Sequence, residues 1–456
     1  MYEMYEGNLR SCLTRWHVIR LDGRRRFELT DPLEGGDLTE PAANHLLALA
    51  QNGEAREVVR GLTFEAFRLH FVLDFLMVGW VRIRMSRRPP MDDDEELGLG
   101  VRAQAFHREA TLIEEMGDGV KCFTGLVAAV LSLKLGILLI DEPEAFLHPP
   151  LARLLGRALS RLAREREGSL IVATHSAEFL MGCVESGSNT TVVRLGHEDE
   201  VAKARQLPAA EVRRLTQDPF LRSTDVLRAL FHRGAVVCES DTDRVVYDEM
   251  NRRLLEEDRG LRDVLFVNTQ GDSNVRNVVG SLRQLGVPAA AIVDLDVIRS
   301  PAWHGLLAAC GISRERRYQL DPERLHLRDV FDALAQAAQA TGGPNPLKRG
   351  GIEALDANDR ARAETLLGEL ASYGLFLAPV GELEAWLASV GATGQKSDWV
   401  TSLFGLIGTT PDDENYLRPG DDDIWVFIDS IRVWVDDPER NGMNVGAASG
   451  AEVHQG

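Results

Sequence analysis

Cysteine is scarce in this chain and nowhere paired. Cys12, Cys122, Cys183, Cys238 and Cys310 are odd in number and scattered, with no C-x-x-C spacing. That excludes a disulfide framework and a cysteine zinc site, and it reads as buried thiols in a reducing compartment. Long apolar runs are lacking too. A run such as residues 135–140 is far too short to span a bilayer, and no charged, apolar and small-residue leader is present. A cytoplasmic protein with no membrane partner is expected. Positive charge is the third deficit: Lys and Arg number 51 against 70 Asp and Glu, a formal net charge of -19. A broad, nonspecific grip on nucleic acid is disfavoured. A nuclease is not excluded, because metal ions can bridge acidic residues to phosphate and basic side chains can cluster locally. No internal repeat is visible.

With 456 residues, 44% of them apolar, the chain is long enough for two or three domains with cores of their own. Residues 16–21, Asp22 with Gly23, and residues 24–29 read as a strand, a turn and a second strand. A helix over about 54–71 and a strand over about 80–85 follow. Arg87, Pro89, Pro90 and the acidic block Asp92, Asp93, Asp94, Glu95 and Glu96 read as an exposed, solvated loop. From Ile113 the pattern alternates, with a helix over 122–133, a strand over 137–140, a helix over 149–166 and a strand over 169–173. Short connections in that order imply a buried parallel sheet. Residues 196–232 read as a connection. A second α/β unit then runs strand 234–238, helix 242–257, strand 264–267, helix 274–285 and strand 289–293. Residues 300–370 are largely helical, broken by the Gly/Pro-rich stretch 341–351, and an apolar strand over 375–380 follows.

The strand at 137–140 leaves Asp141 and Glu142 at its open end, the form of a Walker B segment. Asp141 would hold magnesium, directly or through water, and Glu142 would polarise attacking water. His175 lies just beyond the next strand, where a side chain can reach a γ-phosphate. Residues 144–148 form a crossing segment. Gly117, Asp118 and Gly119 open a helix whose amides and dipole would receive phosphate from another subunit. In this order the segments resemble the ABC-type ATPase fold, with 117–119 as the signature loop, Asp141 and Glu142 as the Walker B acids, 144–148 as the D-loop and His175 as the switch histidine. In that class two heads sandwich ATP, so the resemblance implies ATP as a ligand and a homodimer as an arrangement. No G-x-x-x-x-G-K-[ST] phosphate loop occurs, and Met1 leaves no room for a normal first lobe. ATP is therefore expected only if a phosphate-loop segment, on a separate N-terminal polypeptide or a partner subunit, completes the head. Efficient ATP hydrolysis by this chain alone is not expected.

The second half carries two carboxylate stations. Glu239, Asp241 and Asp243 follow the apolar run 234–238, and Asp294 and Asp296 follow 289–293. Acids at the carboxyl ends of buried strands make a divalent-metal site, with hard oxygen ligands suited to magnesium. Glu239 and Asp243 can face one site across a strand-to-helix junction. Asp294 and Asp296 share a strand-end parity. Asp241 and Thr242 can instead cap the following helix, which ranks Asp241 below Glu239 as a ligand. A metal pair here would activate water and stabilise the leaving oxygen of a phosphodiester.

Glu239, Gly271, Asp294 and Asp296 resemble, in order, the stations of a Toprim domain. Coming after an ABC-like segment, the whole over roughly residues 110–390 resembles the overcoming-lysogenization-defect (OLD) family of ATP-dependent endonucleases. The resemblance implies DNA cleavage or nicking with Mg2+ or Mn2+, often in bacterial defence. It also implies a later carboxylate, Glu382 or Glu384, and a lysine, for which Lys396 could contact phosphate or stabilise developing charge. Lys348 and Arg349 are rival DNA contacts. Ser240 stands where the family commonly has glycine.

The expected architecture is α/β: a partial ABC-type ATPase lobe over 1–232, a Toprim-like parallel-sheet domain with a helical insertion over 233–440, and a flexible tail over 441–456. The alternative function is a regulatory, protein-interaction subunit with a degenerate ATPase surface and an inactive metal pocket. No tyrosine or zinc module in the expected setting supports a topoisomerase or primase.

Overall fold

The computed structural model describes residues 18–21, 25–132, 137–166, 168–198, 201–207, 209–210, 212–213, 226–269, 271–342 and 345–443. Cys12, the turn expected at Asp22 and Gly23, and the tail from 444 onward lie outside them. The chain forms two compact units, Met1–Thr190 and Thr191–Gly456. The described helices include none long and apolar enough to cross a membrane.

The first unit runs β1 (Val18–Leu21), α1 (Arg25–Glu28), β2 (Leu33–Glu34), α2 (His45–Gln51), α3 (Gly53–Phe67), β3 (His70–Asp74), β4 (Trp80–Ser86), α4 (Asp93–Glu96), α5 (Val101–Glu109) and β5 (Thr111–Leu112). It continues with α6 (Asp118–Ser132), β6 (Ile137–Asp141), α7 (Pro149–Glu165), β7 (Ser169–Ala173) and α8 (Ala177–Glu185). A parallel sheet has the order β1-β6-β7, and an antiparallel sheet has the order β2-β4-β3 with β5 added to β4. Helix α6 is buried on every residue from Cys122 to Leu131, as an all-round apolar helix must be. It touches α1, α2, α3 and α7, which makes it the axis of the core.

Three expectations for this unit are corrected. Residues 25–28 are helical, not a second strand: α1 docks on α6, and its Arg26 guanidinium donates to the Glu142 carbonyl. The helix expected to reach residue 71 ends at Phe67, where Arg68 adopts a left-handed φ of 58°, and the chain turns directly into β3. The acidic block is solvated only in part: Asp92, Asp93 and Asp94 are exposed, but residues 93–96 are helical and Glu95 is 3% and Glu96 1% exposed. Glu96 meets Arg60 at 2.7 Å and Arg56 at 3.0 Å, and Arg88 grips both oxygens of Glu95 at 2.9 Å. Buried carboxylates survive where bidentate arginines and amides satisfy them. Two of those arginines, Arg56 and Arg60, lie more than thirty positions away in sequence, so a charge run read locally looks solvated.

The second unit runs β8 (Val192–Glu198), β9 (Val201–Leu207), α9 (Val226–Ala229), β10 (Gly234–Cys238), α10 (Asp241–Glu256), β11 (Val264–Asn268), α11 (Asp272–Gln284) and β12 (Ala289–Val293). The helical insertion follows as α12 (Trp303–Ala309), α13 (Arg314–Thr341), α14 (Pro346–Gly350) and α15 (Ala357–Ser372), before β13 (Leu375–Leu377), α16 (Ser397–Leu406) and α17 (Asp423–Asp436). The main sheet is parallel throughout, in the order β11-β10-β12-β13. Every residue of β10, β12 and β13 is buried. Helices cover both faces, and the strands therefore read as unbroken apolar runs. The core gathers Val236, Tyr247, Ile292, Phe376, Trp386 and Trp434.

Strands β8 and β9, which reach into the stretch from 196 that was read as a connection, pair antiparallel as a hairpin. Its alternation is inverted: Val193 and Leu195 are exposed. Arg194 turns inward to the carbonyls of Leu230, His232 and Gly286 at 2.8–3.1 Å. These bonds tie the hairpin to the second unit, so the compact units divide at 190/191, ahead of the boundary expected at 232/233. The four described cysteines, Cys122, Cys183, Cys238 and Cys310, are buried free thiols.

Candidate metal and nucleotide sites

The order β11-β10-β12-β13 brings three carboxylate-bearing strand ends side by side. Glu239 follows β10, Asp294 follows β12, and Glu382 and Glu384 follow β13. Asp296 sits in the 3-10 turn Leu295–Arg299. The pairing of Cys238 with Ile292 and of Val293 with Leu377 puts these ends at one level. Glu239 Oε1 accepts the Asp294 amide at 3.0 Å, and Gly271, at φ 127°, donates its amide to the Glu239 carbonyl at 2.8 Å. The glycine of the Toprim-like set therefore braces the backbone of the first glutamate.

Helix α10 is capped by Ser240, not by Asp241 or Thr242. Asp243 Oδ2 accepts the Ser240 amide at 3.0 Å, and Ser240 Oγ accepts the Asp243 amide at 3.2 Å, a complete capping box. Serine at position 240 is thus the helix start itself. Asp241 pairs instead with Arg244 at 2.9 Å and accepts from Asn268 at 2.9 Å.

Electrostatics marks the centre. Burial, then the charges of Glu239, Asp243, Asp296 and Glu382, push Asp294 up to about 8. Burial also raises Asp243, with a contribution from Glu384. Beneath lies Tyr247, fully buried, its hydroxyl accepting from Trp386 Nε1 at 3.0 Å. Facing the carboxylates is Lys348, whose ammonium pairs with Glu382 and feels Asp296 and Asp294. Two glycines set that approach. A Cβ at Gly351 would sit 1.8 Å from the Pro379 carbonyl oxygen, and one at Gly381 1.9 Å from that of Leu347. The backbone of α14 therefore lies against the loop that carries Glu382. Lys396 is differently placed, its main-chain amide donating to Glu384 Oε1 at 2.7 Å while its side chain is exposed.

Among the described residues, no group of three or more His, Cys, Asp or Glu side chains is arranged to hold a metal ion. The donor set nevertheless suits one. It is all carboxylate, the hard oxygen chemistry a divalent cation takes, and the like charges around Asp294 oppose its ionisation. Glu239, Asp243, Asp296 and Glu382 all bear electrostatically on Asp294; Asp243 is committed to the helix cap on one oxygen; Glu384 holds the Lys396 amide.

In the first unit Asp141 ends β6, and Glu142 takes a left-handed φ of 47° with its amide on the Ala173 carbonyl at 2.8 Å. His175 Nε2 stands 3.5 Å from Glu142 Oε1, and both side chains are exposed. Glu144 Oε1 accepts from Thr174 Oγ1 at 2.6 Å and from the His175 amide at 3.1 Å. One carboxylate thus locks the crossing segment to the end of β7. A Cβ at Gly119 would lie 2.8 Å from the Phe146 carbonyl oxygen, so the loop of Gly117, Asp118 and Gly119 rests directly on the same segment. Asp118 itself is exposed, 3.5 Å from Lys121. The strand-end acids and histidine expected from sequence therefore share one edge. The bracing by Arg26 and Glu144 was not foreseen, because hydrogen bonds from distant residues leave no local pattern. Lys348 carried a signal in its glycine-rich setting.

Comparison with known proteins matches residues 38–181 to an AAA domain described as a putative AbiEii toxin, type IV TA system. Residues 230–296 match the TOPRIM domain of overcoming-lysogenization-defect protein-like proteins. An OLD nuclease from Thermus scotoductus is 27% identical over 208 residues, which is 44% of this chain and 36% of that nuclease. The chain thus spans about a third of the curated relative it matches. Among solved structures, one from work on ATP-driven dimerization and DNA-stimulated activation of SMC ATPases is 13% identical, with a TM-score of 0.26, covering 38% of this chain and 96% of that one. An SMC head bound to the C-winged helix domain of ScpA is 15% identical, with a TM-score of 0.27, covering 41% of this chain and 55% of that one. The chain thus combines an AAA-type ATPase domain with an OLD-like Toprim domain, in that order, and is similar over part of its length to an OLD nuclease.

Proposed function

We propose that this chain is a divalent-metal-dependent DNA endonuclease or nickase governed by its ATPase module. The observation that carries the reading is the strand order that sets the ends bearing Glu239, Asp294 and Glu382 side by side, where burial and the neighbouring carboxylates raise Asp294 to about 8. Glu239, Asp294 and Asp296, with Glu382 or Glu384, would hold Mg2+ or Mn2+, which when bound supplies a Lewis acid and an activated water. Asp294 would hold the cation as a carboxylate, so metal binding would favour loss of its proton. Tyr247 and Trp386 close the floor against solvent. Lys348, or Lys396 from the neighbouring loop, offers an ammonium to the scissile phosphate.

The ATPase module would act through Asp141, Glu142 and His175 on a nucleotide whose triphosphate is cradled by a phosphate loop from elsewhere, with Gly117, Asp118 and Gly119 meeting the γ-phosphate of a facing head in a homodimer. The OLD nuclease match and the Toprim domain support this reading. Supercoiled DNA incubated with Mg2+ or Mn2+, with and without ATP, tests it. Cutting by the wild type and none by Asp294→Asn or Glu239→Gln is expected. Equal cutting by Asp294→Asn would remove the assignment. A well-folded wild type that neither cuts nor binds metal would favour the regulatory reading.

A further inference from the structure

Outside the carboxylate rim, the second unit holds a cavity of about 130 Å3 lined by His304, Arg314, Arg317 and Tyr318. It lies where α12 hands over to α13. In a chain of net charge -19, a hollow lined by two arginines, a histidine and a tyrosine is a local inversion of sign. Tyr318 is 60% exposed and lies between the Arg314 guanidinium, 5.9 Å from its ring centre, and the His304 ring at 6.0 Å. Arg317 is fixed by donating to the His304 carbonyl at 3.0 Å, and its buried Nε has no hydrogen-bond partner among the described residues. His304 pairs with Asp321 at 3.3 Å, which accounts for the nearby acid.

Position ties this cavity to the rim. Arg324, two helical turns beyond Arg317 and about 10 Å along the axis, donates to the carbonyls of Ile298 at 2.9 Å and Ser300 at 3.2 Å. Those residues close the turn that carries Asp296. Helix α13 therefore joins the cavity to the turn that carries Asp296. Guanidinium forks match phosphate oxygens, and an exposed aromatic ring beside them accepts a base face.

We propose that this cavity is a strand-holding subsite: Arg314 and Arg317 bind a backbone phosphate, and Tyr318 stacks the adjoining base, a few nucleotides from the bond at the carboxylate rim. The subsite rests on the nuclease reading for its purpose, but its binding is measurable without cleavage. A fluorescein-labelled single-stranded oligonucleotide is titrated by anisotropy in EDTA, over a series of salt concentrations, against the wild type, Arg314→Ala, Tyr318→Ala, Tyr318→Phe and Arg262→Ala. Arg262 is exposed, pairs with Asp258, and precedes β11 at the opposite edge of the sheet. Tyr318→Ala is expected to weaken binding about tenfold, and Tyr318→Phe to bind as the wild type does. Arg314→Ala is expected to shed about one unit of salt dependence, and Arg262→Ala to change nothing. Unchanged affinity and salt slope in Arg314→Ala and Tyr318→Ala would overturn the subsite, even if Mn2+-dependent cleavage through Asp294 holds. No oligonucleotide binding by the wild type would overturn it too. Tyr318-dependent binding by a wild type that cuts nothing in Mn2+ would keep the subsite and remove the nuclease reading.

Discussion

Asp294 carries the sharpest residue-scale consequence. Its carboxyl is raised from 3.8 to about 8 by burial and by neighbouring carboxylates. The folded state therefore holds a proton that the unfolded state gives up above its ordinary range. Stability from this group is fully present below about pH 4 and is lost as pH rises towards 8. The loss is at most about 1.4 kcal/mol per pH unit. Denaturant melts of metal-free protein are expected to show stability falling from pH 5 to pH 8, and Asp294→Asn to flatten the decline. A wild-type profile parallel to that of the variant would deny the shift. Lys348 makes a complementary case. Its pair with Glu382 is largely exposed, and such pairs stabilise by about 1 kcal/mol or less. Lys348→Ala should therefore melt almost as the wild type does, while DNA cleavage falls about a hundredfold if the ammonium meets the phosphate. Unchanged cleavage would shift that role to Lys396.

At the scale of elements, what holds the rim together is backbone packed on backbone and arginine set among carbonyls. Gly351→Ala would drive a methyl into the Pro379 carbonyl, and a loss of roughly 2–4 kcal/mol is expected in urea unfolding, together with loosening of Lys348 from Glu382. Arg283 of α11 is fully buried and donates to the carbonyls of Ala289, Cys310, Gly374 and Gly442 at 2.8–3.2 Å, with its guanidinium 4.7 Å from the Trp434 ring centre. Arg283→Met removes that shared donor, although the Gly374 carbonyl keeps the Ala291 amide, and a cost of about 1–3 kcal/mol is expected; a melt indistinguishable from the wild type would show that the other carbonyls find new partners. These elements also explain what the sequence disclosed. Buried strands such as Gly234–Cys238 and Ala289–Val293 were legible as unbroken apolar runs, and so were the acids that follow them. Helix α1, the inverted strand pair β8 and β9 and the buried pair Glu95 and Glu96 were not. Each is stabilised by partners remote in sequence: Arg26 by the Glu142 carbonyl, Arg194 by Leu230, His232 and Gly286, and Glu96 by Arg56 and Arg60. Lys348 was legible as a candidate contact, but not its place beside Glu382, which two glycine contacts across about thirty residues set.

For the whole molecule, an ATPase domain and a Toprim domain share one chain, and each presents its acids at the carboxyl ends of parallel strands. The ATPase acids have no phosphate-loop motif beside them in this sequence, so slow ATP turnover by the isolated chain is expected. The Toprim carboxylates carry the central claim, and their proton balance tests it most directly. Calorimetric titration with Mn2+ at pH 7, in two buffers of different ionisation enthalpy, counts the protons released as metal binds. Tight binding with release of about one proton per site is expected of the wild type, and neither of Asp294→Asn. Binding without proton release, undisturbed by that substitution, would contradict it.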